Sequence, residues 1–234
     1  MKKFYYVLAG VAVVGIGAVG YNVGSNALGP AVSAPIELEG LDSPEALAEM
    51  AQGITRGDED APVTIVEFGD FQCPGCGAFA LSVKPQIDLM LVQTGKVKFI
   101  FYDFPLTTIH PNAFLAARAS RCAQDQDKYW EYHDVLFRNQ ANWSTESNAT
   151  GTFLGYGEDL GVNEKDFEAC VRSDKYADVV TANMELGMAL GVGSTPTLLV
   201  QAGDEVRQLN GFDYRSVQEA VELVSTPGGT SPGN

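Results

Sequence analysis

Apolar and polar positions along the chain follow helical and strand periods, and the breaks between them set out an order of elements. A continuous apolar run at residues 4–20 directly follows Lys2 and Lys3. Residues 21–35 are rich in Gly, Ala, Asn, Ser and Pro and read as a linker. Ser43 and Pro44 make an N-cap and first-turn pair that predicts a short helix to about residue 52. Gly57-Asp58-Glu59-Asp60 reads as a turn. Residues 63–68 and 97–102 are β-branched and aromatic runs of strand length. Between them a helix is predicted to about residue 93, closed by a turn at Gly95-Lys96, which makes a β-α-β unit.

Residues 110–190 read as mainly helical. Pro111 fits a first helical position, and Leu115, Ala119 and Cys122 fall on one stripe. Trp130, His133 and Phe137 form another, while 142–157 reads as loop with a helical part. Phe167, Cys170 and Val171 suit the apolar face of a helix capped by Asn163. A further helix over 176–190 is stopped by Gly191. Strands at 197–201 and 205–209, joined through Gly203-Asp204, read as a hairpin, and 214–223 as a closing helix. The predicted class is α/β: a mixed central sheet flanked by helices, with an all-helical insertion at about 110–190 between β-α-β and β-β-α halves. The divisions are 1–34 for an export segment and linker, 35–56 for an N-terminal extension, 57–224 for the principal domain and 225–234 for a disordered tail.

A basic start followed by an apolar run reads as a signal peptide or signal anchor rather than a buried helix. Its length lies at the lower edge of the roughly 17–25 residues that can span a bilayer. Val32-Ser33-Ala34 and Ser25-Asn26-Ala27 offer small residues for cleavage, and no Cys follows the run to carry a lipid. The rest of the chain is then expected outside the cytoplasm, in a periplasm or cell envelope where disulfides persist. Fifteen Lys+Arg against thirty Asp+Glu give a net charge of −15, which argues against nucleic acid as a partner. Two histidines rule out a His-rich metal site, and four cysteines are too few for a disulfide-built scaffold.

The candidate chemistry sits at Cys73-Pro74-Gly75-Cys76, between a predicted strand and a predicted helix. A Cys pair of this spacing can be half a zinc site, but Cys122 and Cys170 are isolated and supply no second knuckle. As a redox pair it has a mechanism. Cys73 would lie at the helix start, where unpaired N–H groups favour a thiolate, and Cys76 lies one turn on. Glu67 is an acid inside an apolar strand, either at an edge facing water or buried beneath the Cys pair with a raised pKa. Thr195-Pro196 opens a strand, where Pro is tolerated, and a trans bond is the ordinary state there. His110 and His133 read as helix-cap and core residues, and Tyr129 to Phe137 as a core cluster. Asp58, Glu59 and Asp60 read as a solvated turn rather than a calcium site.

The run from Phe68 through Gly69-Asp70-Phe71-Gln72 to Cys73-Pro74-Gly75-Cys76, with Thr195-Pro196-Thr197 far downstream, resembles the thioredoxin superfamily. The helical block, Asp60-Ala61-Pro62-Val63 and Lys128-Tyr129-Trp130-Glu131-Tyr132-His133 resemble its DsbA-like thiol:disulfide oxidoreductases. The resemblance implies that Cys73 is the exposed nucleophile, Cys76 its buried partner and Glu67 the family's buried acid. It also implies that Pro196 is a cis-proline facing the pair, and that the backbone of Thr195 pairs with an extended substrate. Pro74-Gly75 departs from the Pro-His of the family's strongest oxidants. Cys122 and Cys170 are then expected to form a structural disulfide, which some relatives carry, rather than two separate buried thiols.

The implied function is oxidation of dithiols in exported proteins, without a bound cofactor or metal, by a monomer that a membrane redox partner reoxidises. Reduction or isomerisation of disulfides at the same site is the alternative. A non-catalytic chaperone or a metal-binding module is a third reading.

Overall fold

The computed structural model describes residues 31–38 and 43–225. The expected apolar export run and the Ser25-Asn26-Ala27 site lie outside the described residues, as does the tail from 226. Among the described residues no helix is long and apolar enough to cross a membrane.

Five strands form one mixed sheet in the order β1-β3-β2-β4-β5. They are β1 (Ile54–Arg56), β2 (Val63–Gly69), β3 (Val97–Asp103), β4 (Thr197–Ala202) and β5 (Glu205–Gln208). Only β2 and β3 run parallel, as a helical crossover between them requires. Strand β1 pairs antiparallel with β3, Ile54 opposite Phe101, and so brings the expected N-terminal extension into the sheet. Its three residues are too few to carry an alternating pattern, which is why the boundary expected at residue 57 falls past an edge strand.

Alternate residues of the central strands face two cores. Ile65, Phe99, Phe101, Leu198 and Val200 face the larger, with most of the helices. Val66, Phe68, Ile100, Tyr102 and Leu199 face the smaller, covered by α1 (Pro44–Met50) and the helix Ala177–Ala189. Helix α1 begins where the Ser43 hydroxyl accepts from the Ala46 amide.

The helix expected to run on to about residue 93 is broken. It consists of α2 (Pro74–Ser82), α3 (Lys84–Ile87) and a π-helical turn at Asp88–Val92. Pro85 has no N–H to continue the ladder, and its ring crowds the carbonyl four residues back. The insertion holds α4 (Ala113–Gln124), α5 (Tyr129–Arg138), α6 (Gln140–Trp143), α7 (Thr150–Asp159), α8 (Glu164–Arg172) and α9 (Ala177–Ala189). Pro111 lies ahead of α4, which starts after Asn112. Helix α10 (Tyr214–Ser225) closes the larger core with Val217, Ala220, Val221 and Val224.

Cys122 of α4 and Cys170 of α8 form a disulfide, with Cα atoms 5.8 Å apart and 48 residues between them in sequence. Two buried guanidiniums tie the N-terminal segments to this block. Arg121 Nε bonds Asp103 at 2.6 Å, and its Nη2 reaches the Gln52 carbonyl at 2.5 Å. Arg118, fully buried, donates to the carbonyls of Val32 (2.7 Å), Lys175 (3.0 Å) and Ser173. The Ile36 amide bonds the Thr181 hydroxyl of α9 at 3.2 Å. Residues 31–38, read from sequence as linker and extension, are therefore fastened to the fold.

Candidate active site

Strand β2 ends at Gly69, and the loop after it carries Asp70 to Cys73 into α2. Cys73 is the N-cap of α2, in extended geometry at φ −72° and ψ 123°, with Pro74 following it in the first turn. Proline suits that place because its missing N–H would be unpaired there anyway. Cys73 is half-buried and Cys76 fully buried, and both are free thiols. The Thr195–Pro196 peptide is cis, and the Thr195 carbonyl lies 3.3 Å from Cys73 Sγ.

Gly75 faces the same loop. A Cβ at this position would lie 3.2 Å from Pro196 Cδ and 3.7 Å from Cys73 Sγ. The Pro-Gly dipeptide therefore leaves the cis-proline close against the Cys turn, where any side chain would press on it.

The two sulfurs titrate in opposite directions. Cys73 is brought down to about 5, chiefly by the hydrogen bond from Cys76; the Thr195 side chain and the backbone amides of Cys76 and Gly75 add to this, while partial burial opposes it. The Thr195 hydroxyl is buried with no other partner, so a thiolate at Cys73 gives it an acceptor. Cys76 is pushed well above its ordinary value by burial first, then by its bond to Cys73 and the nearby charges of Glu67 and Cys73. The Asp70 amide, 3.4 Å from Cys76 Sγ, acts the other way.

Glu67 does not face water. It lies in the middle of β2 between Phe101 and Leu198, fully buried on the face of the larger core. Neither carboxyl oxygen has a hydrogen-bond partner. Burial raises its pKa to about 8, Lys84 lowers it in part and Cys73 raises it. It is thus a neutral acid near pH 7 that senses both sulfurs. Lys84 is itself buried, bonded to Asp88 at 2.9 Å and set 4.5 Å from the Trp130 ring centre.

Cys122 and Cys170, joined to one another, have no thiolate to offer a zinc ion beside the Cys73 pair. His133 is a core residue, ringed by Phe71, Phe101, Phe137 and Trp130 at 4.9–5.6 Å, and burial keeps it neutral with a pKa of about 4. His110 is bonded through Nδ1 to Asp70 at 2.7 Å.

Several polar residues around the loop carry no role in the reading from sequence. Asp70 is buried and accepts from the amides of Gln72 and Leu106. The Gln72 side chain bonds the Ser144 carbonyl and the Asn112 amide, both at 2.8 Å. Gln140 Nε2 reaches the carbonyls of Phe71 (2.7 Å) and Cys73 (2.9 Å). Asp70 and Gln72 sit within the Cys motif, between residues that read as buried, which was a usable signal. Gln140 is a polar residue among polar neighbours, and nothing in its sequence context marked it.

A family profile described as Thioredoxin matches residues 49–221. Disulfide bond formation protein D of Bacillus subtilis is 30% identical over 170 residues, covering 71% of this chain and 74% of that protein. The crystal structure of oxidised BdbD from Bacillus subtilis superposes with a TM-score of 0.64 at 28% identity, covering 82% of this chain and 97% of the other. A Na(+)/H(+) antiporter NhaA 1 of Salinispora arenicola is 32% identical over 145 residues, 62% of this chain. The match spans only 21% of that antiporter's length.

Proposed function

From the membership of this chain in the DsbA-like branch of the thioredoxin superfamily, we propose that it is a thiol:disulfide oxidoreductase acting outside the cytoplasm, oxidising dithiols of exported proteins. The observation that carries this reading is the split between a low-pKa sulfur at a helix start and a buried, high-pKa sulfur one turn on. A substrate thiolate attacks Cys73 Sγ of the Cys73–Cys76 disulfide. A mixed disulfide forms, Cys76 leaves and takes up the proton that Glu67 holds. A second substrate thiolate then attacks the substrate sulfur, and Cys73 leaves as a thiolate. The substrate gains a disulfide, and the enzyme keeps two electrons, as a Cys73 thiolate and a Cys76 thiol, with Glu67 left as a carboxylate. Because the Cys73 thiolate is stabilised, reduced enzyme is favoured and the pair is oxidising.

The cis Thr195–Pro196 turn supplies the backbone edge along which an extended substrate would lie. A membrane redox partner, quinone-linked by analogy with the family, would remove the two electrons, and the enzyme would act as a monomer without bound cofactor. The basic start and apolar run ahead of residue 31 support export.

A Cys76→Ser protein charged beforehand at Cys73 as a mixed disulfide with glutathione should pass into mixed disulfides with reduced exported proteins, releasing glutathione, and Cys73→Ser should form none. Alkylation of wild-type Cys73 should follow a midpoint near pH 5. Equilibration with glutathione decides direction. A potential near about −120 mV supports the oxidase, whereas one near about −270 mV gives the site to a reductase.

A further inference from the structure

Within the insertion, one side chain holds the backbone on both sides of Gln72. Gln140 opens α6, and its amide nitrogen donates to the carbonyls of Phe71 and Cys73, at 2.7 and 2.9 Å. An NH₂ group has two protons, and both are used here. The Cys73 carbonyl also accepts from the Gly77 amide at 3.1 Å, at the start of α2. Held from both sides, Cys73 stays in its extended cap geometry, with the amides of Gly75 and Cys76 turned to its sulfur. Carbonyl oxygens near a thiolate raise its energy, and they do so less when an N–H engages them.

Gly77 gives a second, independent sign. A Cβ there would lie 2.8 Å from Gln140 Oε1 and 3.3 Å from its Cδ and Nε2. Glycine inside a helix is poorer than alanine. What this glycine makes room for is the Gln140 amide.

We infer that Gln140 is a positioning residue for the reacting sulfur, holding the Phe71 and Cys73 carbonyls so that the loop turns its Gly75 and Cys76 amides to Sγ. The inference rests on the reading of Cys73 as the exchanging sulfur. It makes the insertion part of the redox centre. The loop has other anchors, since Phe71 packs on Phe137 at 5.0 Å and Gln72 bonds Ser144, so loss of the amide changes local polarity before it changes the fold.

The test uses Gln140→Met and Gly77→Ala in the full chain, one removing the amide and the other displacing it. The readouts are the thiolate absorbance of reduced protein against pH, equilibration with glutathione, and thermal melting as a check on folding. Both variants should raise the Cys73 midpoint by about one unit, a tenfold change. The glutathione equilibrium should move tenfold toward the disulfide, about 30 mV. Gln140→Glu, which sets a carboxylate against two carbonyls, should raise the midpoint further than Gln140→Met. A folded Gln140→Met or Gly77→Ala protein that titrates as wild type overturns the inference. If wild type titrates low but exchanges with no protein dithiol, the proposed function fails, and the titrations still decide the part played by Gln140.

Discussion

The amide of Asp70 lies 3.4 Å from Cys76 Sγ, so a residue six positions back in the chain supplies a donor to the buried sulfur. Its carboxylate is what holds it there. Oδ1 accepts from the Gln72 amide, and Oδ2 from the Leu106 amide and His110 Nδ1. Both oxygens face donors, so only a carboxylate satisfies the site. Asp70→Asn must turn an NH₂ against an N–H whichever way it flips. It should cost about 3 kcal/mol in urea unfolding, close to the cost of Asp70→Ala. An Asn variant of wild-type stability would mean that the loop can rearrange around a neutral side chain.

Glu67 gives a pH dependence whose sign is fixed. Folded, it keeps its proton up to about pH 8; the unfolded chain releases it near its ordinary value of 4.5. Between these values folding takes up a proton, so this group makes the fold less stable as pH rises. Glu67→Gln should therefore stabilise more at pH 8 than at pH 5, by about 3–4 kcal/mol. The same change removes the proton source for Cys76 and should slow dithiol exchange about 10²-fold. Paired urea titrations and exchange rates at the two pH values check both effects.

The Cys122–Cys170 disulfide closes a separation of 48 residues, which the chain-entropy account values at about 4 kcal/mol. Cys122→Ala with Cys170→Ala should lower stability by that order. The glutathione equilibrium of Cys73 and Cys76 should stay as in wild type, because the bridge joins α4 to α8 and touches neither sulfur. A shifted equilibrium would give the second pair a redox role.

Arg118 predicts where the chain can be shortened. Starting at residue 35 removes the Val32 carbonyl and leaves a buried guanidinium N–H without its acceptor, at about 1–3 kcal/mol. Starting at residue 31 keeps that acceptor. Their melting temperatures should differ by about 2–4 °C for each kcal/mol. Equal melting would show that water replaces the carbonyl. The small residues Val32-Ser33-Ala34 are correspondingly a poor place to cut, because a cut there releases the segment that Arg118 holds.

Much of this fold was legible because its strongest elements are buried on both faces. Strands β2 and β3 read as continuous β-branched and aromatic runs, and the Gly203-Asp204 turn marked the β4–β5 hairpin. Strand β1 does not show in the sequence because three residues carry no period. The continuous helix expected after Cys76 overlooked what Pro85 does to the ladder. At the site, the spacing of the Cys pair carried most of the chemistry. Glu67 reads as an acid out of place, but its burial depends on β4 pairing along the far side of β2, a contact between segments far apart in the chain. Gln140 was invisible because its partners are backbone carbonyls, which every residue has and no sequence displays.

The disulfide between Cys122 and Cys170 has a last consequence. A newly exported copy emerges with these thiols reduced, and on the proposed activity it then belongs among its own substrates. Each finished molecule, once its own Cys73–Cys76 pair has been reoxidised, can complete the next, so maturation would be autocatalytic. In an oxidant-poor medium, production from a culture with none already made should begin with a lag. A small dose of the finished protein should shorten that lag, while a dose of its Cys73→Ser form should leave it unchanged.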